Sequence, residues 1–196
     1  MGVTIHYRGK LNNTSLLPQL LSELTDIASV MKWKCQELDD DWAVEPNARL
    51  KAGRIVGHLG LKGVQMIPHK DSEALAFFFD RGGVLHSPAE MALSCEGHSF
   101  GAWVSVKTQF APPDVHIRIV GLLKYIKKTY ISDLEVADEG GYWETGNRDT
   151  LIQNMETINA AMNRLEHTLS SGKLGDLAGL SGDQIASRIE KYFREE

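Results

Sequence analysis

The chain is poor in cysteine and has no long apolar run. Its 196 residues include two cysteines, Cys35 and Cys95, which lie far apart in the sequence. We interpret them as reduced thiols and expect a cytoplasmic protein, because disulfides persist mainly in oxidising compartments. No apolar stretch approaches the roughly 18 residues that a membrane span needs, and the first residues lack the apolar core of a signal peptide. We therefore expect no membrane association.

The chain also has no excess of positive charge and no strong catalytic motif. Its 21 Lys and Arg residues stand against 26 Asp and Glu residues, a formal net charge of −5, so we expect no nucleic-acid partner. The glycine-rich, serine-elbow, HExxH and CxxC signatures of known enzyme and metal sites are missing. None of the 7 histidines stands at metal-ligand spacing from another. The sequence therefore predicts no metal and no cofactor.

Strand, helix and strand patterns follow one another near the start of the chain. Residues 3–8 alternate apolar and polar side chains, which predicts a half-buried strand. Apolar residues then recur at helical spacing over residues 16–31, with Pro18 in the first turn, where its missing N–H does little harm. A second strand is predicted over residues 34–38. This order is typical of a βαβ unit.

The same order returns in the second half of the chain. A strand is predicted near residues 103–110 and a helix near residues 114–129, and matching positions such as Ile5 and Val104 are separated by about 99 residues. Two pseudo-repeats, about 3–42 and 102–143, are therefore interpreted as related βαβ units. Short crossovers of this kind usually share one sheet.

These patterns predict a single α+β domain over residues 1–196. Its one mixed or antiparallel sheet combines the duplicated βαβ unit with a central meander, and its helices pack on one face. A C-terminal helical extension is predicted as helices of about 149–171 and 182–194. Ser181 and Gln184 have the spacing of a capping box at the start of the last helix.

One face of the predicted sheet is the candidate ligand-binding surface. Alternation places His6 and Arg8 on the same side of their strand, and the repeat places Ser105 and Lys107 in equivalent positions. Such a polar, partly basic face can bind an anionic ligand or a partner chain. A solvated face of an antiparallel sheet has the same composition, so that alternative stays open.

A histidine paired with a carboxylate is the candidate catalytic arrangement. His6 or His58 is the candidate base, and Asp138 or Glu139 is the candidate acid or orienting partner. These acids fall in the stretch ADEGGYWETGN, which the glycines predict to be a hairpin or bulge beside the sheet. We expect Trp143 to be mostly buried there and Glu139 to be exposed.

The leading functional prediction is a cytosolic, non-catalytic binding or protein-interaction protein of unknown specificity. The alternative is a small hydrolase or transferase that uses His6 or His58 with a nearby carboxylate. The partner is predicted to be a protein or a small molecule, and a homodimer is left open as the assembly. No stretch of the sequence identifies a family of known activity.

Overall fold

Antiparallel sheets and helices make up the described residues, which are 2–98, 103–171 and 179–195 of a computed structural model. This confirms the α+β class. The chain divides into two compact units, Met1–Met155 and Glu156–Glu196. Among the described residues, every helix is too short or too polar to cross a membrane.

The described strands are numbered in chain order. They are β1 (Thr4–Arg8), β2 (Lys34–Asp39), β3 (Arg49–Lys51), β4 (Arg54–Val56), β5 (Lys62–Ile67), β6 (Leu75–Phe79), β7 (Leu85–His86), β8 (Val104–Lys107) and β9 (Glu135–Asp138).

The described helices follow the apolar periodicity of the sequence. They are α1 (Leu17–Met31), α2 (Pro88–Cys95), α3 (Pro113–Thr129), α4 (Tyr142–Thr145), α5 (Arg148–Ser170) and α6 (Gly182–Glu195). In α1, the buried residues Leu17, Leu20, Leu24 and Ala28 recur every three or four positions and form one face. The residue that caps the end of this helix, Lys32, adopts a left-handed conformation with φ of 57°.

The first sheet has the strand order β8-β1-β9, and both outer strands are antiparallel to β1. Ile5 and Tyr7 are fully buried, and Ile5 lies opposite Val106, which is also buried. The polar residues between them point to the other face, as the alternation predicts. The prediction that residues 3–8 and 103–110 pair in one sheet is confirmed.

The second sheet has the order β2-β5-β6-β7 and is antiparallel throughout. The last three strands pair in chain order, which confirms the predicted meander. All five residues of β6 are buried, so this strand forms the centre of the core. Gly63 lies opposite Phe78, where an added Cβ would be 1.9 Å from the carbonyl oxygen of Phe77. Only glycine therefore allows β5 and β6 to approach this closely.

The prediction of one sheet is wrong, since the described strands form three: a two-stranded hairpin, β3 with β4, accompanies the two larger sheets. The physical reason is that both edges of β1 are taken by β8 and β9. A strand has only two edges for pairing, so β2 cannot join β1 and pairs with β5 instead. The helices accordingly do not share one face: α1 contacts β2 and β5, and α2 contacts the hairpin.

The second βαβ pattern corresponds to a crossover, and the first does not. Strands β8 and β9 are both antiparallel to β1, so they are parallel to each other, and α3 connects them. In the first pattern, β1 and β2 lie in different sheets. The likeness between the two halves is therefore one of local sequence pattern and does not extend to strand pairing.

The two larger sheets meet around a buried tyrosine. The hydroxyl of Tyr7 donates a hydrogen bond to the carbonyl oxygen of Ala76 at 2.7 Å and accepts one from the Ala76 N–H at 3.1 Å. A backbone hydrogen bond of 3.0 Å from Leu85 to Gly9 joins β7 to the chain after β1. Side chains of both sheets belong to one hydrophobic cluster.

The remaining local predictions have mixed outcomes. Cys35 and Cys95 are both free, as predicted. Ser181 and Gln184 form the predicted capping box, with N–H to side-chain oxygen distances of 2.9 and 3.3 Å. Of the two structures predicted for residues 137–147, a hairpin or a bulge, the hairpin is wrong. Two glycines after β9 turn the chain into the short helix α4, so the backbone never doubles back to form a strand pair.

Candidate functional site

The four residues predicted to bind a ligand lie on the same face of the first sheet. His6 pairs with Ser105 across the strands, and Lys107 pairs with Thr4. This face is opposite the buried side chains of the sheet, so the sequence pattern places the four residues correctly in space.

The cations of this face already have partners. The Arg8 guanidinium lies 2.6 Å from a carboxylate oxygen of Glu135 and 4.5 Å from the centre of the Trp103 ring. The Lys107 ammonium lies 5.2 Å from the ring centre of Phe110. These contacts hold both cations against neighbouring side chains and leave less of their charge for a ligand.

His6 is the one predicted base that lies near a predicted acid. Its Nε2 atom is 4.0 Å from Oε1 of Glu139, and both side chains are partly exposed. The other carboxylate oxygen of Glu139 accepts a hydrogen bond of 2.9 Å from the backbone N–H of Thr4. Glu139 is exposed and Trp143 is partly buried against the hydrophobic cluster, both as predicted. The histidine and the carboxylate are close enough to interact but do not form a direct hydrogen bond.

His58 connects the segment after β4 to the loop after β2. Its Nε2 atom is 2.8 Å from the carbonyl oxygen of Asp41, and its Nδ1 atom is 3.7 Å from Oδ2 of Asp40. The same Asp40 oxygen accepts backbone hydrogen bonds of 2.9 Å from Leu59 and Gly60. The carboxylate beside His58 is therefore Asp40 and not one of the two predicted acids.

Asp138 pairs with a histidine that the sequence analysis did not select. Nε2 of His116, at the start of α3, lies 3.1 Å from the Asp138 carboxylate, and Nδ1 lies 2.8 Å from the hydroxyl of Thr108. This series of hydroxyl, imidazole and carboxylate has the order of a catalytic triad. The side chains of His116 and Asp138 are nevertheless 0% exposed, and Thr108 is buried.

This buried triad stabilises the junction of three elements. Besides His116, Asp138 accepts hydrogen bonds from the backbone N–H groups of Gly140 at 2.7 Å and Trp143 at 2.8 Å. Burial alone would raise the pKa of Asp138, but these hydrogen bonds and the histidine outweigh it and hold the pKa below its usual value. Since no member of the triad reaches solvent, we interpret it as structural.

A cavity of about 200 Å³ lies between four separate segments of the first unit. The loop after β2 forms one wall, and the turn after β6 forms another. Gly60, before β5, and Met91, in α2, form the rest of the cavity lining. The lining residues are Trp42, Val44, Glu45, Pro46, Gly60, Asp80, Arg81 and Met91.

Asp80 is the most firmly held charge in this cavity. Its Oδ1 atom accepts a hydrogen bond of 2.9 Å from the Val84 N–H, and its Oδ2 atom lies 3.1 Å from Nε2 of His86. Burial alone would raise the pKa of Asp80, but the contacts with His86 and the backbone outweigh it and hold the pKa below its usual value. Burial also raises the pKa of Glu90, the next carboxyl near His86. Asp80 is thus a fixed anion in the cavity wall.

No pattern in the sequence predicts this cavity. Its lining residues come from parts of the chain between residues 42 and 91, and only tertiary folding brings them together. A local signal was present in the Asp-Arg-Gly-Gly turn after β6, where Asp80 accepts the N–H of Val84 across the turn. That signal identifies a turn but not what lies above it.

A second concavity, an apolar groove of about 290 Å³, runs between α1 and α3. Tyr125, one of its lining residues, is 42% exposed. Trp, Tyr, Met and Arg are the residue types that are enriched at protein interfaces, and the groove contains one of each. Its lining residues are Ile27, Met31, Trp33, Arg118, Leu122 and Tyr125.

No metal centre is formed within the described part of the chain, where no three His, Cys, Asp or Glu side chains are grouped to hold an ion. Comparison with known proteins gives no assignment either: no protein-family model, no curated protein and no solved structure matches the chain.

Proposed function

We propose that this chain is a cytoplasmic, non-catalytic binding protein whose small ligand occupies the cavity beside Trp42. The observation that carries the proposal is the composition of this cavity. An indole ring, apolar side chains and three charged groups converge there from separate segments. Ligand sites in proteins commonly combine apolar walls with a few placed polar groups in this way.

Binding without catalysis is the reading that the contacts favour. Among the eight residues that line the cavity there is no Ser, Thr, Cys or Lys to act as a nucleophile. The triad with the order needed for catalysis, built on His116, is buried away from any substrate. His58 has both ring nitrogens directed at Asp40 and Asp41 in the loop after β2. These arrangements support a scaffold that holds a ligand.

Nuclear magnetic resonance of the indole N–H groups tests the proposal. The chain has four tryptophans, so a ¹⁵N-labelled sample gives one resonance for each, and Trp42→Phe identifies the one from the cavity. We expect at least one compound of a fragment panel, which includes cations, anions and neutral molecules, to shift this resonance saturably. The resonances of Trp33, Trp103 and Trp143 should stay in place, because those residues do not line the cavity.

A pair of valine variants controls the experiment. Val44 lines the cavity and is 46% exposed, so Val44→Tyr fills the space without disturbing the core. Val30→Tyr makes the same change on an exposed surface of α1 away from the cavity. The shift should disappear in the first variant and persist in the second. A panel without any saturable shift at Trp42, or a shift that survives Val44→Tyr, would disprove the proposal.

The second candidate function is a hydrolase or transferase that uses His6 with Glu139. Its support is the distance of 4.0 Å between Nε2 and Oε1 on an accessible face. The test measures turnover of p-nitrophenyl acetate and p-nitrophenyl phosphate by the wild type, His6→Gln and the control His69→Gln, whose side chain faces another carboxylate. A catalytic His6 predicts a loss of about 10²-fold or more in His6→Gln alone. Our binding proposal predicts the same background rate in all three proteins.

A further inference from the structure

We infer that the cavity beside Trp42 selects a small organic cation, an ammonium or guanidinium compound, over neutral or anionic molecules. This inference rests on the proposed function and names the ligand class of the same site. Two carboxylates, Glu45 and Asp80, line the cavity against one cation, Arg81. The lining therefore carries a net charge of −1, from two negative groups and one positive group.

The two carboxylates differ in how they meet a ligand. Asp80 is fixed in the wall by the backbone and by His86, and its side chain is 30% exposed, so a ligand reaches it without having to order it. Glu45 stands at the outer rim, where its side chain is 84% exposed and lies 3.8 Å from Arg81. An exposed pair of this kind is weak, so Glu45 can exchange Arg81 for a ligand cation at small cost.

The indole of Trp42, like the two carboxylates, attracts a cation. Aromatic rings attract cations to their faces, and Trp does so most strongly. In this protein the Lys62 ammonium already lies 5.5 Å from the centre of the Trp42 ring, and Asp39 holds it there at 2.5 Å. The Trp42 ring therefore already has one cation, that of Lys62, packed against it. Because Trp42 lines the cavity, we expect a ligand cation there to gain a similar attraction from the indole in addition to that of the two carboxylates.

An anionic ligand fits the site less well. Arg81 is the only cation among the lining residues, and its nearest charged partner is Glu45. An anion that approached Arg81 would also meet Glu45 and Asp80, and like charges at short distance are costly. The cavity volume of about 200 Å³ further limits the ligand to a small molecule.

Three compounds of one shape and different charge test the inference. Choline is the cation, 3,3-dimethylbutan-1-ol is its neutral counterpart and 3,3-dimethylbutanoate is the anion. Each is titrated into the full chain while the indole resonance of Trp42 is followed. We expect choline to bind about tenfold more tightly than the alcohol, which corresponds to about 1.4 kcal/mol, and the anion to bind more weakly still.

Variants that remove a charge at the rim test whether negative charge strengthens choline binding and positive charge weakens it. Glu45→Gln should weaken choline binding about fivefold, and Arg81→Gln should strengthen it by a similar factor, since an exposed charge contributes up to about 1 kcal/mol. Both side chains are highly exposed, so neither variant threatens folding. The control Asp26→Asn removes one negative charge from an exposed position on α1 and should leave binding unchanged.

The outcomes separate this inference from the proposed function. Saturable binding of the alcohol or the anion in preference to choline overturns the cation inference and leaves the binding proposal intact. Equal effects of Glu45→Gln and Asp26→Asn show that choline responds to net charge alone, which also overturns the inference. If choline does not shift the Trp42 resonance, the inference fails. If no compound of the wider panel shifts it either, both fail.

Discussion

Asp138 is the buried carboxylate on which the junction of β9, α3 and α4 depends, and Asp138→Asn is the change that tests it. The substitution keeps the size of the side chain, so it leaves no cavity. It removes the charge and replaces one acceptor oxygen by an NH₂ donor. In the native protein both oxygens accept hydrogen bonds, from Gly140, Trp143 and His116. In either orientation of the Asn side chain, its NH₂ group therefore faces a hydrogen-bond donor instead of an acceptor.

The cost follows from the contacts that are lost. A hydrogen bond to a charged group contributes about 1.5–3 kcal/mol, and a buried polar group left without its partner costs about 1–3 kcal/mol. The pair here has both side chains fully buried, with 3.1 Å between the imidazole and the carboxylate. We expect Asp138→Asn to lower the free energy of unfolding by about 3 kcal/mol near neutral pH.

The pH dependence of stability independently tests the direction of the pKa shift of Asp138. The pKa of Asp138 is lower in the folded protein than its usual value, so the folded state favours the ionised carboxylate. The stability that this carboxylate contributes is complete above its unfolded pKa of about 3.9 and is lost as the pH falls through the folded pKa. The difference between the wild type and Asp138→Asn should therefore shrink below about pH 4.

Urea denaturation followed by circular dichroism measures both effects, at about pH 7 and at about pH 3. Asp26→Asn is the control, since Asp26 is exposed on α1 and its loss should change stability by less than about 0.5 kcal/mol. A cost below about 1 kcal/mol for Asp138→Asn at the higher pH would refute the structural reading of the triad. A cost that grows on acidification would refute the assigned direction of the pKa.

Two further predictions concern the core. Tyr7→Phe removes the hydroxyl that bonds both backbone groups of Ala76, so it should cost about 1–3 kcal/mol in urea denaturation, and no measurable loss would contradict that role. Gly63→Ala should prevent folding, because its Cβ would lie 1.9 Å from the Phe77 carbonyl oxygen. Its control is Gly121→Ala in α3, where the added Cβ meets nothing within 4 Å and should stabilise the protein by about 0.5–1 kcal/mol. Thermal denaturation compares the two, and equal midpoints would show that the close strand approach is absent.

The local sequence determines those features whose information lies within one segment. The alternation of residues 3–8 requires only that one face of a strand be buried, and Ile5 and Tyr7 are indeed buried. The helical spacing of α1 likewise requires only one apolar face. The capping box of Ser181 and Gln184 is a contact between residues three positions apart. In each case the physical constraint acts over a few neighbouring residues, so the sequence pattern suffices.

The candidate sites show where such local information ends. Alternation placed His6 and Lys107 on one face, because period and register are properties of paired strands. It could not show that Arg8 packs on Trp103 or that Lys107 lies against Phe110. Those contacts depend on side chains beyond the strand pattern, and they decide how much charge the face offers.

Only the tertiary structure decided which strand joins which sheet and which side chains meet. Strand β2 follows α1 directly but pairs with β5, since both edges of β1 are occupied by strands from the second half of the chain. Asp138 meets His116 rather than His6 or His58 because α3 packs its first turn beside the end of β9. The cavity beside Trp42 is assembled in the same way from four separated segments. Long-range pairing is selected by the burial of the whole core, a global free energy that no short stretch of sequence contains.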